Sequence, residues 1–390
     1  MALRCLHVVP TYFPAVRYGG PIHSVHGLCR ALAARGCDVH VYTTNVDGAG
    51  VSSVPIEGLV ELDGVNVHYF PTAAGRRIYR SPAMGTALAA TVASFDVVHI
   101  HSVFLWPTAI AARLARRYRI PYVLAPRGML VDSLIRRKSR ILKSAWIWAF
   151  ERSNIAGAAA IHATSQAERR DIEKLGFDVR SYAVVPNGID AIPAGVAMPA
   201  VLPSRPYVLC LGRINWKKGI ERLIAAMSHV PRANLVIAGN DEDGEAARLM
   251  TMVHELGLED RVRFIGPVYG DEKWALIRNC TTFALASHSE NFGNVVLEAM
   301  ACSRPVVVTT EVGLADIVAQ SGSGLVVDGS PTAISNAISA LIADPAYAQR
   351  LGDVAAKTAR DLFSWPAVAS MMCGVYETVV TASGKEVGNA

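Results

Sequence analysis

The 390-residue chain has no Cys-x-x-Cys pair, and its seven cysteines (Cys5, Cys29, Cys37, Cys210, Cys280, Cys302, Cys373) are scattered and odd in number. That excludes a disulfide framework and a cysteine zinc site. Most of them sit in apolar runs such as Val208-Leu209-Cys210-Leu211, so they read as buried thiols of a reducing compartment. No stretch of 18 or more residues is apolar enough to span a bilayer. The apolar run between Met1 and Pro10 is too short for a signal peptide and reads as a first strand. The expectation is a cytoplasmic protein, or one bound to the membrane from the cytoplasmic face. Short-period repeats and low-complexity tracts are also missing. Charged residues make up 18% against 51% hydrophobic, which excludes a disordered chain.

Single hydrophobic cores stop growing at about 250–300 residues, so this length predicts two domains. Short apolar runs alternate with helical patterns: Arg4–Val9, a helix over Ser24–Arg35, Asp38–Tyr42, Val97–Ile100 and Tyr122–Leu124. Strands that are apolar on both faces belong to parallel sheets covered by helices on both sides. A turn at Val185-Pro186-Asn187-Gly188-Ile189-Asp190 leads into an aperiodic Pro- and Ala-rich stretch over Ala191–Ser204, read as a linker. A second α/β series then begins at Tyr207–Gly212 and recurs at Asn234–Ala238, Val262–Ile265, Thr282–Ala286, Pro305–Thr309 and Gly324–Val327. The expected domains are 1–190 and 204–364, with a last helix over 365–382 returning to the first. Open sheets of this kind bind ligands beyond the carboxyl ends of their strands. Two of them facing each other would enclose a central cleft.

Two motifs follow second-domain strands. Glu290-Asn291-Phe292-Gly293-Asn294-Val295-Val296-Leu297-Glu298 carries one carboxylate in a loop and a second inside the helix that starts near Gly293. The amino end of a helix offers free N–H groups and the positive end of a dipole, which suits a phosphate. Gly293 lets the backbone approach an anion. Glu290 would hold sugar hydroxyls and Glu298 ribose hydroxyls; the bland alternative is an amphipathic helix with two solvated acids. Gly212-Arg213-Ile214-Asn215-Trp216-Lys217-Lys218-Gly219 supplies cations that would grip a diphosphate and neutralise a departing one. Its bland alternative is a basic surface turn.

In this order, each after a strand, the two motifs resemble the family-four retaining glycosyltransferases of the GT-B fold, and the resemblance spans nearly the whole chain. It extends to Tyr18-Gly19-Gly20-Pro21, Asp96-Val97-Val98-His99-Ile100-His101, Val185–Asp190 and Val236-Ile237-Ala238-Gly239. Ala125-Pro126-Arg127-Gly128-Met129-Leu130 is similar to a subgroup that builds bacterial surface polysaccharides.

The resemblance implies an α/β protein of two Rossmann-like domains and transfer of a hexose from a nucleotide-sugar with retention at the anomeric carbon. It implies no bound metal and no cofactor. Arg213 and Lys218 would hold the donor diphosphate, Glu290 the donor sugar and Glu298 the ribose. Phe292, Gly293, Asn294 and Val295 would line the donor. Gly19 and Gly20 would admit it to the first-domain backbone, and His101 matches the family's active-site histidine. His99, two residues earlier on the same strand face, reads as a packed histidine.

The chain departs from the family in two places. Asn291 stands where a glycine is frequent, and Val312-Gly313-Leu314 keeps one glycine of two. Asp241-Glu242-Asp243 mimics a metal-binding triplet but reads as a surface turn. Gly322-Ser323-Gly324 lacks the third glycine of a dinucleotide fingerprint.

Residues 1–190 carry 22 Lys+Arg against 13 Asp+Glu, and the remainder 16 against 20. The excess concentrates in 113–143, which runs into Ala145-Trp146-Ile147-Trp148-Ala149-Phe150. Basic residues beside tryptophan predict a helix lying on an anionic membrane, which would deliver a lipid-linked or saccharide acceptor. The bland alternative is a basic face with both tryptophans in the core. No nucleic-acid recognition motif accompanies the charge. Arg127 is the candidate for an acceptor phosphate. An epimerase on the same architecture and a non-catalytic sugar-nucleotide-binding protein are the competing functions.

Overall fold

The computed structural model describes residues 2–15, 20–56, 58–131, 146–193, 206–241 and 244–384. The chain divides into two compact units, Met1–Gly188 together with Trp365–Ala390, and Ile189–Ser364.

In the first unit the strands are β1 (Arg4–Val8), β2 (Asp38–Thr44), the short ribbon β3 (Val46–Asp47) and β4 (Gly50–Val51), then β5 (Val60–Leu62), β6 (Val65–Phe70), β7 (Val97–His101), β8 (Tyr122–Ala125), β9 (Ala160–Ala163) and β10 (Tyr182–Val184). Eight of them form one sheet in the order β10-β9-β8-β7-β1-β2-β6-β5. All neighbours are parallel except β5, which returns on β6 through Asp63-Gly64. Both turn residues have positive φ (51° and 78°), the two-residue hairpin geometry that Asp-Gly favours. This hairpin was not read from the sequence, although Asp-Gly between apolar runs signals it. Helix Gly20–Ala34 begins four residues before the expected start. Gly20 is therefore its first residue rather than part of a turn, and Gly19 lies outside the described residues. The last helix, Trp365–Ala382, packs Val368, Met372 and Tyr376 into the same core as Val25, Leu28 and Leu32 of helix Gly20–Ala34.

The second unit holds β11 (Tyr207–Leu211), β12 (Asn234–Ala238), β13 (Val262–Phe264), β14 (Thr282–Leu285), β15 (Val306–Thr309) and β16 (Gly324–Val327). They form an all-parallel sheet in the order β13-β12-β11-β14-β15-β16. Every residue of β11, β12 and β14 is buried, so alternate side chains feed two cores. Leu209, Phe283 and Val308 pack with Leu297 and Phe363 on one face. Val208, Ile237 and Val307 pack with Leu223 and Ile338 on the other. Each such side chain contributes about 1.5–3 kcal/mol of burial. Strand order reverses between β11 and β14 here, and between β1 and β7 in the first unit. Those gaps are the switch points where doubly wound sheets take ligands.

Among the described residues no helix is long and apolar enough to cross a membrane. All seven cysteines are free, with Cys37 and Cys373 facing each other at 4.0 Å between sulfurs.

Candidate functional site

At the β11/β14 switch point of the second unit, two loops are stitched together. After β11, the N–H of Gly212 donates to Ala238 and that of Ile214 to Asn240 (2.7 Å), which turns the chain across the end of β12. Asn215 then caps the one-turn 3₁₀ helix Trp216–Lys218, its Oδ1 accepting from the N–H of Lys217 at 3.1 Å. Gly219 follows with φ 58°, and a Cβ there would lie 2.0 Å from the carbonyl oxygen of Ala286. Only glycine permits both the left-handed backbone and this approach to the end of β14. The N–H of His288 donates to Lys217 (2.7 Å) and closes the seam.

Lys218 emerges from this seam and forms an ion pair with Glu290, their side chains 15% and 21% exposed. The pairing sets the ammonium beside the loop that opens helix Asn294–Ala301. Gly293 enters that helix at φ 98°, so the left-handed residue is Gly293 and not Asn291. Asn in place of the family's frequent glycine therefore costs no backbone strain. The loop after β15 holds the Glu290 segment: the N–H of Glu290 donates to Glu311, and that of Gly313, the one glycine retained, donates to Glu290 (2.8 Å).

One turn into the helix, Glu298 Oε1 accepts from Lys273 Nζ at 2.8 Å. Its other oxygen, Oε2, is buried and accepts nothing. A buried carboxylate oxygen without a donor carries a desolvation cost that a ligand hydroxyl would relieve.

The first unit gathers a different set at its own switch point. His101 ends β7 and is 1% exposed. Its Nε2 lies 3.0 Å from His7 Nδ1, and its Nδ1 lies 3.2 Å from Arg127 Nη2. Arg127 follows β8 in the left-handed region (φ 56°), and its Nη1 donates to Asn187 Oδ1 at 3.0 Å. Burial and then the Arg127 charge push the His101 pKa well down, so the ring is neutral. Two buried glutamates fix the flanking loops. Glu168 accepts from the N–H of Gly128 (2.6 Å), and Glu151 from that of Phe104 (2.7 Å). Burial pushes the Glu151 carboxyl up.

The family profile for Glycosyl transferases group 1 matches residues 200–358, and the profile for a Glycosyl transferase 4-like domain matches residues 19–188. Alpha-maltose-1-phosphate synthase of Mycobacterium tuberculosis is 30% identical over 85% of this chain and 95% of its own length. The chain is a family-four glycosyltransferase.

D-inositol 3-phosphate glycosyltransferase of Xylanimonas cellulosilytica is 28% identical to this glycosyltransferase over 96% of each chain. The solved structure of Anabaena Alr3699/HepE in complex with UDP and glucose superposes with a TM-score of 0.72, at 19% identity, over 96% of this chain and 100% of its own. Both units thus belong to the GT-B fold.

In this glycosyltransferase Glu290, Phe292, Gly293, Asn294, Val295 and Glu298 fall in one stretch of the second unit, which Lys218 joins through its ion pair with Glu290. Arg213 is exposed on the same loop as Lys218, and Phe292 is buried in the core. His101 and Arg127 come together in the first unit, where His101 presents neither ring nitrogen to solvent. Gly20 is exposed at the amino end of its helix. Asp241 accepts from the N–H groups of Glu245 and Ala246 (3.0 and 3.2 Å), so it caps helix Glu245–Glu255; residues 242 and 243 lie outside the described residues. Gly322-Ser323-Gly324 leads into β16, with Gly324 its first residue, rather than following a strand, the wrong end for a phosphate loop. Sequence reading missed Lys273, Glu151, Glu168 and Tyr376. Glu168 alone had a local signal, the Ser165-x-x-Glu168 capping pattern, with Ser165 Oγ accepting from the N–H of Glu168.

Proposed function

We propose that this glycosyltransferase moves a hexose from a nucleotide-sugar to a lipid-linked or oligosaccharide acceptor in bacterial surface polysaccharide or glycolipid synthesis, with retention at the anomeric carbon. The observation that carries the reading is the Lys218–Glu290 pair beside the amino end of helix Asn294–Ala301, with Glu298 Oε2 left without a donor one turn further on. Lys218 and Arg213 would meet the donor diphosphate together with the helix N–H groups of Asn294 and Val295. Glu290 would hold sugar hydroxyls, and Glu298 Oε2 a ribose hydroxyl. Phe292 and Gly293 shape the approach.

As the bond from C1 to the phosphate oxygen breaks, negative charge grows on the nucleoside diphosphate, and the fixed cations stabilise it. The acceptor oxygen bonds to C1 on the same face and passes its proton to the departing phosphate. Arg213 and Lys218 supply the neutralisation, so the step as drawn uses no metal. The structural neighbour that carries UDP and glucose supports a nucleoside-diphosphate sugar as donor. On this reading Gly20, His101 and Arg127 serve the reaction from the first unit, Arg127 toward an acceptor anion.

A thermal-shift screen of UDP-, GDP- and ADP-sugars, followed by transfer assays with the hit, tests the reading. At a hundredfold excess over Kd the matching donor stabilises by about 2.7 kcal/mol, or about 5–11 °C for a unit of this size. No shift with any nucleotide-sugar would defeat it.

The membrane reading gains support from Trp148 and Phe150, which are 77% and 44% exposed on the π-turn Ile147–Glu151. Trp146 is instead tied inward, donating its indole N–H to Glu151 at 2.9 Å. The basic residues 136–143 that precede them lie outside the described residues. Trp148→Glu is expected to abolish flotation with anionic liposomes. Equal recovery of the wild type with neutral and anionic vesicles would remove the idea.

A further inference from the structure

The carboxyl ends of β1, β7 and β9 bring four buried histidines, His7, His99, His101 and His162, around the hydroxyl of Tyr376 on the last helix. His162 Nε2 lies 2.8 Å from the carbonyl oxygen of Val185, and His162 Nδ1 lies 3.2 Å from His99 Nε2. His99 Nδ1 is 2.7 Å from the Tyr376 oxygen, which is 3.3 Å from His7 Nε2. His7 Nδ1 meets His101 Nε2 at 3.0 Å, and His101 Nδ1 meets Arg127 Nη2 at 3.2 Å.

The protons in this chain follow from its ends. A carbonyl oxygen only accepts, so His162 carries its proton on Nε2. A neutral imidazole has a single N–H, so His162 Nδ1 accepts and His99 Nε2–H donates to it. His99 Nδ1 must then accept, and only the Tyr376 O–H can supply that bond. The Tyr376 oxygen accepts in turn from His7 Nε2–H, and His7 Nδ1 accepts from His101 Nε2–H. His101 Nδ1 is left as a lone pair facing a guanidinium, which can only donate. The carbonyl at one end and the arginine at the other independently require the same direction. A proton added to any ring would set two donors against each other: N–H against N–H at His7, His101 and His162, and N–H against the Tyr376 O–H at His99. Burial favours the neutral form throughout and pushes His7 and His162 to about 3.

We propose that Tyr376, His7, His99 and His162 form a one-way hydrogen-bond relay that locks His101 in its Nε2–H form, so that the Nδ1 lone pair seats the Arg127 guanidinium for an anionic oxygen of the acceptor. Tyr376, on a helix at the far end of the sequence, is thus a positioning residue that acts through His101 on Arg127. The acceptor role of Arg127 rests on the reading of the previous subsection; the relay itself does not. His7, His99 and His101 also stand close enough to share a metal ion. All six of their ring nitrogens are used by the relay, however, so a metal would have to break it.

Long-range ¹⁵N NMR of histidine-labelled protein at pH 7 tests the relay directly. All four rings are expected as neutral Nε2–H tautomers. Any of the four found protonated or as Nδ1–H overturns the relay, as does stoichiometric zinc retained after dialysis against zinc alone. Tyr376→Phe removes the donor to His99 and the acceptor for His7. Only the Arg127 guanidinium then still favours the Nε2–H form of His101, and His7 and His101 are expected to populate the Nδ1–H tautomer as well, with Arg127 displaced from His101 Nδ1 and far-UV circular dichroism unchanged. Inorganic phosphate serves as the anion probe, followed at the Arg127 Nε–H resonance, which is assigned by its loss in Arg127→Lys. Its affinity there is expected to fall about tenfold in Tyr376→Phe, the loss of one charge-assisted contact. A Tyr376→Phe protein that keeps a single His101 tautomer, or the wild-type phosphate affinity, overturns the seating of Arg127. Wild-type protein with intact tautomers but no phosphate response at Arg127 overturns the acceptor reading and leaves the relay standing.

Discussion

Lys218→Ala and Glu290→Ala are each expected to lower the rate of sugar transfer by at least about 10². Lys218 projects from a loop jammed against the end of β14, so its ammonium is held where a diphosphate would develop charge and needs no rearrangement during the reaction. Removing it deletes that cation and also strands the Glu290 carboxylate, whose side chain is only 21% exposed. Removing Glu290 frees the ammonium from its fixed place and deletes the carboxylate proposed to hold sugar hydroxyls. Because the two side chains act as a pair, the double variant should lose less than the product of the single losses. Steady-state kinetics with the donor found by thermal shift, on variants whose circular dichroism matches the wild type, measures this. Near-normal turnover in both single variants would remove the assigned roles.

Acidification from pH 7.5 to 4.5 is expected to destabilise the first unit by about 5 kcal/mol, through His7 and His162 alone. Burial pushes both from 6.5 to about 3 in the folded state, with Arg127 adding in the same direction. Between those values the unfolded chain binds protons that the folded chain refuses, so stability falls as pH falls, by about 1.4 kcal/mol per pH unit for each group. At pH 4.5, two units below the unfolded value, the two together lose about 5 kcal/mol. His99 and His101, lowered by the same burial, deepen the loss. That is a large fraction of the 5–15 kcal/mol typical of a domain. Chemical denaturation at the two pH values, followed by far-UV circular dichroism, reads it. A midpoint unchanged between them would mean that these rings are not held neutral.

The central strands of the second unit were legible because nothing charged interrupts them. Tyr207–Leu211 and Asn234–Ala238 are buried on both faces, and such strands leave one reading, a covered parallel sheet. The two second-unit motifs were legible because each is local: Lys218 lies seven residues beyond the end of β11, and Glu290 five beyond that of β14. Lys273 was not legible. It sits on helix Gly270–Asn279, and only the packing of that helix beside Asn294–Ala301 brings its ammonium to Glu298. The exposed Trp148 and inward-tied Trp146 were equally beyond a sequence pattern, because Trp146 is drawn in by a hydrogen bond to the buried carboxylate of Glu151, while Trp148 sits on the π-turn between them.

The amino-acid sequence by itself determined two doubly wound sheets, since uninterrupted apolar runs ending in glycine turns have few other ways to be buried. It also determined which loops would carry cations, carboxylates and a helix amino end. Tertiary structure alone decided what His101 can do. Its proton is placed by a backbone carbonyl and a guanidinium at opposite ends of a chain of six hydrogen bonds. The members of that chain meet only because the last helix returns to the first sheet, where Trp365 fills a slot that no side chain on Gly27 or Gly188 obstructs. Proton position is a property of partners, and partners that lie hundreds of residues apart in the chain leave no trace in local sequence.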